Sequence, residues 1–445
     1  MRSSETAGPA ALSRRSLLRA AAIVGAGAAL GAPLRVLARE AERWPAVTRL
    51  LESYVQDRRV ANMVAVVGRG QGAPQVIARG HDSFVAPRAS DHDSLYRIYS
   101  MTKPVTGMAA MMLVEDGAIA LDQPLAEILP AFAAMQVLRS ADGPLVPDNL
   151  EPAVRPITIR HLLTHTAGLD YGFSLDEDPA AGSPLARAYR QAGLVPAAIS
   201  RVELPGQVRA APPPSLALFA EQLATLPLAH QPGTRWHYSV GLDLLGRVIE
   251  VASGVPFDAF LQQRIFEPCG MASTFFQVPP SEVDRLTTSY LVLNELLVPI
   301  DLPASSIFLD PPPFPFGGAG LVSSPRDYDR FLMMLAGYGT IEGRRVMSEA
   351  AVRMGTSDLL PDTLAPDGGF APDAGFGAGG LVQPHGGRGG TFGWFGAAGT
   401  VGFVEMASGL RQSLYTQYLP SAAYPLQSLF GEAVASDLAE AAPAA

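Results

Sequence analysis

Arg97-Ile98-Tyr99-Ser100-Met101-Thr102-Lys103-Pro104-Val105-Thr106 is the stretch on which this chain has to be read. Pro104 has no N–H to give a carbonyl four residues back, so it belongs to a first helical turn. A helix carrying Met108, Met112 and Leu113 therefore begins close to Ser100, and Asp116-Gly117 ends it. Ser100 and Lys103 are three residues apart, which puts both side chains on one face and lets the amine reach the hydroxyl. Serine is a weak nucleophile until a neighbouring base takes its proton, and this spacing supplies one. Alone, the tetrapeptide fits a capping serine beside a solvated lysine equally well, so the rest of the chain must decide.

Composition narrows the field. With 445 residues, 48% of them hydrophobic, the chain can bury a core with at least two subregions. A formal charge of −9 without a basic stripe gives nucleic acid nothing to bind. A single cysteine excludes an internal disulfide framework, and Cys269 reads as a small buried apolar residue. No G-x-S-x-G is present, which argues against a strand-to-helix nucleophile elbow. His161 and His165 are four apart, but Leu162 stands where a zinc protease needs glutamate. Gly386-Gly387-Arg388-Gly389-Gly390 follows no clear strand-to-helix unit, so it reads as a tight loop rather than a phosphate cradle.

Sheet material lies at both ends. Met63 to Val67, a Gly68 to Pro74 turn cluster and Val76 to Ala78 form one hairpin, and Thr400 to Met406 with Leu410 to Thr416 flank Ala407-Ser408-Gly409 as another. Helices concentrate between. Thr158 caps one through Ile159, Leu162 and Leu163, ending near Gly168. Ser239 is expected to cap another, with Leu242, Leu245, Ile249 and Ala252 on one face, an Asp243 to Arg247 pair and a stop at Gly254. Ser324-Pro325-Arg326-Asp327 opens a further one. Residues 170–220, broken by Ala211-Pro212-Pro213-Pro214, are expected to form a long surface excursion. The economical model is an α/β (α+β) fold, an antiparallel sheet flanked by helices and built from both chain ends, with a mostly helical inserted region.

The segment around Ser100 resembles the nucleophile segment of serine hydrolases related to class C β-lactamases, the group that includes family VIII carboxylesterases. The resemblance recurs in order along the chain. Ile159 to Leu169 (IRHLLTHTAGL) looks like the helical segment after the nucleophile, and Pro232 to Ser239 (PGTRWHYS) looks like the segment that holds the catalytic tyrosine. Gly317 to Ser324 is similar to the Gly-rich turn before a late helix, and Gly393 to Thr400 resembles the strand opposite the nucleophile. The resemblance implies a β-lactamase/transpeptidase-like domain over residues 39–433, with an α/β part at about 45–100 and 310–433, a helical part at about 100–310, and an Ala-rich tail at 434–445. It further implies that Ser100 is the nucleophile and that Lys103 and Tyr238 share its proton. The Ser100 and Ala397 amides would then form the oxyanion hole, where such donors are worth ~3 kcal/mol each. No cofactor and no metal is implied.

Two departures bear on the substrate. In β-lactamases of this type the tyrosine segment runs Y-x-N and the opposite strand K-T-G, and these polar anchors hold the drug's amide and carboxylate. Here the corresponding positions are Val240 and Trp394-Phe395-Gly396, read as substrate-pocket residues. A pocket without donors for a buried amide and carboxylate leaves those groups unpaired, which favours an uncharged ester. The expected function is cleavage of small carboxylic esters through a Ser100 acyl-enzyme. The alternatives are a β-lactamase, peptidase or amide hydrolase of the same fold, or a scaffold that binds a ligand without turnover. His230, His237 and His385 are read as structural rather than as members of a triad.

Ser13-Arg14-Arg15-Ser16-Leu17-Leu18 precedes an Ala/Gly-rich run from Ala20 to Ala32, and Val36-Leu37-Ala38 offers a small-residue cleavage site. Residues 1–38 thus resemble a twin-arginine signal read by the corresponding export machinery through residues 13–18, placing the protein in the periplasm or outside the cell. The apolar run is shorter than the ~20 residues that cross a bilayer, so no stable membrane span is expected after its removal.

Overall fold

In the computed structural model residues 44–441 are described, apart from 86, 173–181, 198, 203–209, 366–367, 369–373 and 384–389. The signal-like residues 1–38, His385 and Gly386 to Gly389 therefore lie outside the described residues. The first half supplies α1 Pro45–Gln56, β1 Asn62–Arg69, β2 Gln75–Gly80, α2 Thr102–Glu115, α3 Ile159–Leu163, α4 Pro184–Gln191, α5 Leu216–Leu223 and α6 Gly241–Ser253. The second supplies α7 Pro325–Ala336, β3 Gly375–Phe376, β4 Leu381–Gln383, β5 Thr391–Phe395, β6 Val401–Glu405, β7 Leu410–Tyr415 and α8 Leu426–Glu440.

The strands join in the order β3-β4-β5-β6-β7-β1-β2, antiparallel throughout. Both hairpins expected from the sequence are present, with Val66 opposite Val76 and Glu405 opposite Leu410. The amino-terminal hairpin docks on the carboxy-terminal one through β1 and β7, where Val64 faces Tyr415. β1 is buried on both sides, and its alternation divides the core. Val64 and Val66 join Met101, Val105, Met108, Tyr328, Phe331 and Tyr415 on the face covered by α2 and α7. Met63, Ala65 and Val67 join Val47, Leu51, Phe403, Phe430 and Val434 on the face covered by α1 and α8. The sheet is thus sandwiched between helices from the two termini and helices from the middle of the chain.

α2 is buried on every side from Thr102 to Leu113, the environment of a central helix. α7 starts as its sequence implies, with the Ser324 hydroxyl accepting the Asp327 N–H at 3.2 Å and Pro325 in the first turn. Thr158 caps α3, and His161 returns the contact by accepting the Thr158 N–H on Nδ1 at 3.1 Å. Gly254, with φ of 73°, ends α6 in the left-handed conformation that a side chain would disfavour. No helix among the described residues is long and apolar enough to cross a membrane.

Four expectations need correction. The 170–220 stretch is not simply a surface excursion: Ser183 and Ser215 cap α4 and α5, and Leu185, Tyr189, Leu194, Leu216 and Phe219 are core residues. Pro184 starts α4, because a proline at the first position gives up no intrahelical bond, and Ala211-Pro212-Pro213-Pro214 lies between α4 and α5 outside any helix or strand. At α6 the cap residue is Val240, while Ser239 turns inward to His165. Asp243 is buried, so Arg247 pairs with Glu250 instead, at 2.9 Å. The Ala-rich tail, finally, begins later than residue 434, because α8 continues to Glu440 with Val434 and Asp437 buried.

Asp437 explains why. Its two carboxylate oxygens accept the Ala46 and Val47 N–H groups at 2.8 and 3.1 Å, closing the amino terminus of α1, which has no cap from its own preceding residue. Replacing it by alanine (Asp437→Ala) is expected to lower the unfolding free energy by ~1 kcal/mol, as for other lost caps. Urea unfolding of the two proteins measures this; equal midpoints would show that α1 does not depend on the cap.

Candidate active site

Ser100 lies in the single 3-10 turn Tyr99–Met101 that leads into α2, so it sits at the helix entrance with Lys103 one turn on. Tyr99 takes a φ of 42°, a conformation unusual for a residue with a side chain. The turn is wedged against the end of β5: a side chain at Gly396 would lie 2.5 Å from the Ile98 carbonyl and 2.0 Å from the Thr400 hydroxyl. That close approach brings the loop after β5 beside the nucleophile turn. Ala397 follows in this loop, half-buried, and packs on the cluster that contains Tyr99.

The Ser100 hydroxyl oxygen accepts two hydrogen bonds, from Lys103 Nζ at 3.2 Å and from the Tyr238 hydroxyl at 2.9 Å. Lys103 is wholly buried and donates a second bond to the Gly318 carbonyl at 2.7 Å. Its nitrogen also lies 4.6 Å from the Tyr238 ring centre and 5.4 Å from that of Tyr171, within cation–π range of both. Tyr238 in turn accepts the Trp394 indole N–H at 3.2 Å. Ser100, Lys103, Tyr238 and Trp394 thus form one connected set with the serine oxygen at its centre.

Two of the four expected pocket residues are elsewhere. Val240 is fully buried in the helical core, where its N–H bonds the Asp170 carbonyl at 3.2 Å. Phe395 packs edge-on against Phe403 at 4.9 Å in the layer beneath α1 and α8, with its ring 6.0 Å from that of Trp394, on the side away from the serine. Gly396 serves as the close-packing point described above, and Trp394 hydrogen-bonds Tyr238 directly.

Sequence reasoning missed three residues. Tyr171, in the stretch set aside as a loop, lies against Tyr238 at 4.8 Å with its ring tilted by 51°, and burial keeps it a neutral phenol by raising its pKa well above 10. His165, weighed only as a metal ligand, lies against Tyr238 at 4.6 Å. Asp243, assigned to the surface, accepts the Gly318 N–H at 2.9 Å from the opposite side of the residue whose carbonyl holds Lys103. Of the histidines read as structural, His230 and His237 meet edge-to-face at 5.3 Å, and His237 reaches Asp170 at 3.4 Å.

The Gly-rich turn 317–320 is what ties these parts together. Thr106 donates to the Gly317 carbonyl at 2.7 Å, and a side chain at Gly318 would come within 2.5 Å of the Asp243 carboxylate. Only glycine lets the turn pass between α2 and α6 this closely. Burial pushes the Asp243 carboxyl up to about 7, with the Lys103 charge and the Gly318 N–H acting in the opposite direction.

A profile described as Beta-lactamase matches residues 47–427. The chain belongs to the beta-lactamase family. Protein Rv1367c of Mycobacterium tuberculosis is 37% identical over 378 residues, 81% of this chain and 86% of that protein. Esterase EstB of Burkholderia gladioli is 30% identical over 387 residues, covering 82% and 88% respectively. Among solved structures, the one described as EstCE1, a hydrolase with promiscuous acyltransferase activity, superposes with a TM-score of 0.66 at 25% identity over 87% of this chain and 97% of its own. A simvastatin synthase (LovD) variant from Aspergillus terreus shares the fold, with a TM-score of 0.67 at 22% identity over 88% of this chain and 98% of its own. This family member is a serine hydrolase of β-lactamase/transpeptidase-like fold, mixing helices with an antiparallel sheet.

Two outcomes follow from this geometry. Trp394→Phe keeps an aromatic ring but removes the donor to Tyr238, and loss of one neutral hydrogen bond of ~1 kcal/mol predicts a roughly five- to tenfold slower reaction of Ser100 with a fluorophosphonate probe. An unchanged labelling rate would mean that the bond does not influence the serine. For Asp243 the folded state holds a proton that the unfolded chain has released above about pH 4. Stability attributable to this group is therefore complete below about pH 4 and declines as pH rises toward 7. Melting temperatures across pH 4.5 to 8 should fall in the parent relative to Asp243→Asn, and parallel curves for the two proteins would refute the linkage.

Proposed function

We propose that this serine hydrolase cleaves small uncharged carboxylic esters through an acyl-enzyme on Ser100. The observation that carries the proposal is the convergence of Lys103 and Tyr238 on the Ser100 oxygen, at 3.2 and 2.9 Å. In the acylation step the Ser100 proton passes to the Lys103–Tyr238 pair while its oxygen bonds to the ester carbonyl carbon. The tetrahedral intermediate collapses as the alcohol leaves with that proton. Water then attacks the acyl group, and the bond to Ser100 breaks with return of a proton to the serine. The Ser100 and Ala397 amides are assigned to the oxyanion formed in each half-reaction.

The preference for esters over β-lactams is supported by how Trp394 is used. Its N–H is engaged by Tyr238, and neither Val240 nor Phe395 offers a polar group. A substrate carboxylate or side-chain amide would lose its water without gaining a partner there. A relative, EstB, is named an esterase, which agrees with this reading. An alcohol in place of water in the second step would give acyl transfer, the activity named for EstCE1.

Purified protein and Ser100→Ala, assayed with p-nitrophenyl acetate and butyrate and with a chromogenic cephalosporin, test the proposal. Ester turnover should fall by at least three orders of magnitude in the variant, and the cephalosporin should survive incubation with the parent. Cephalosporin turnover matching that of the esters would overturn the substrate assignment, and ester turnover that persists in Ser100→Ala would overturn the nucleophile.

A further inference from the structure

His165 takes no part in the acyl-transfer steps, yet its local structure is built around Tyr238. It is fully buried with a φ of 56°, a left-handed conformation that a residue with a side chain holds only when its surroundings enforce it. What enforces it is a pair of bonds. The His165 carbonyl accepts the His237 N–H at 2.8 Å, and its Nδ1 accepts the Ser239 N–H at 3.2 Å. One residue therefore fastens both chain neighbours of Tyr238. The Ser239 hydroxyl lies 3.0 Å from the same nitrogen and itself accepts the Gly241 N–H at 3.3 Å, which links this anchor to the start of α6.

Between the two anchors the imidazole lies against the phenol ring at 4.6 Å and 46°. Trp236 and Phe376 close two further sides, at 5.9 and 5.4 Å. An Nδ1 that accepts an N–H bond carries no proton, so the ring is the neutral tautomer with hydrogen on Nε2. Nε2 is buried and has no hydrogen-bond partner among the described residues. Burial keeps His165 well below the usual histidine range and hence neutral, and the electrostatic influence of Lys103 and His237 acts in the same direction.

We infer that His165 is a positioning residue for Tyr238, fixing the backbone on both sides of it and the plane of its ring so that the hydroxyl stays on the Ser100 oxygen. The inference rests on the reading of Tyr238 as a carrier of the Ser100 proton. A shift of the phenol by one ångström would lengthen the 2.9 Å bond to Ser100 beyond useful range while leaving the substrate's binding surface intact. Loss of the Nδ1 acceptor should therefore appear in kcat and not in KM.

The test compares His165→Phe, which keeps a ring and loses the acceptor, with His165→Asn, whose Oδ1 replaces Nδ1 and whose backbone accepts a positive φ. With p-nitrophenyl butyrate the Phe variant should lose tenfold or more in kcat at a KM within threefold of the parent, and the Asn variant should stay within threefold in both. A folded Phe variant with parental kcat overturns the inference, as does an Asn variant as slow as Phe. If near-ultraviolet circular dichroism shows that Phe fails to fold, His165→Gly takes its place, since glycine accepts the same φ without supplying an acceptor. If that also fails, the Asn variant decides alone, kcat within threefold supporting the inference and a tenfold loss refuting it. Tyr238→Phe is measured alongside: if it retains parental kcat, the proton-carrier reading has failed, whereas a slow Tyr238→Phe beside a normal His165→Phe removes only the role of His165.

Discussion

A basic side chain enclosed on all sides must be given partners, and the placement of Lys103 inside the protein organises much of what surrounds it. Removing an ammonium or amine from water is costly unless its donors are used. Here they are directed at Ser100 and Gly318, with aromatic faces of Tyr171 and Tyr238 to the side and Asp243 beyond the Gly-rich turn. These partners come from four segments, Tyr238 and Asp243 both lying at the start of α6. Satisfying this one nitrogen therefore fixes the relative positions of α2, the turn at 317–320, the start of α6 and the stretch around residue 171.

The same requirement explains the density of glycine at the centre of the molecule. Gly318 has no room for a side chain against Asp243, Gly396 none against Ile98, and Gly379 would collide with the Lys103 carbonyl at 2.4 Å. These contacts bring backbone from three directions to within one residue's width of α2. Aromatic rings then fill the remaining space around Tyr238, with Trp236, Trp394, Phe376 and His165 all in ring contact with it or with one another.

Much of this was legible in the sequence because it depends on local chemistry. Pro104 and Pro325 mark helix starts, Gly254 marks a stop, and the apolar run from Met63 to Val67 marks a strand. What escaped was set by tertiary contact. Asp243 occupies a position where a surface ion pair is the ordinary expectation, and only the approach of Gly318 makes it an interior residue. Tyr171 lay in a Pro- and Ala-rich region whose helices begin at prolines or serines that also suit turns. Val240 and Phe395 were assigned to the cleft from their chain neighbours, but a helix cap and a strand each turn successive side chains in different directions.

The pairing of β1 with β7 carries a further implication for how the molecule comes into being. Val64 meets Tyr415 across nearly the whole length of the chain, so the central sheet is assembled from contacts of very high sequence separation. During synthesis the amino-terminal hairpin emerges long before its neighbour exists, and it must wait with an unpaired edge while the intervening helices are made. The indole that bonds Tyr238 belongs to β5, which emerges only shortly before β7. A ribosome-bound fragment ending anywhere short of these strands therefore lacks both the β1–β7 pairing and a complete reaction centre, and hydrolytic competence arrives late in biosynthesis.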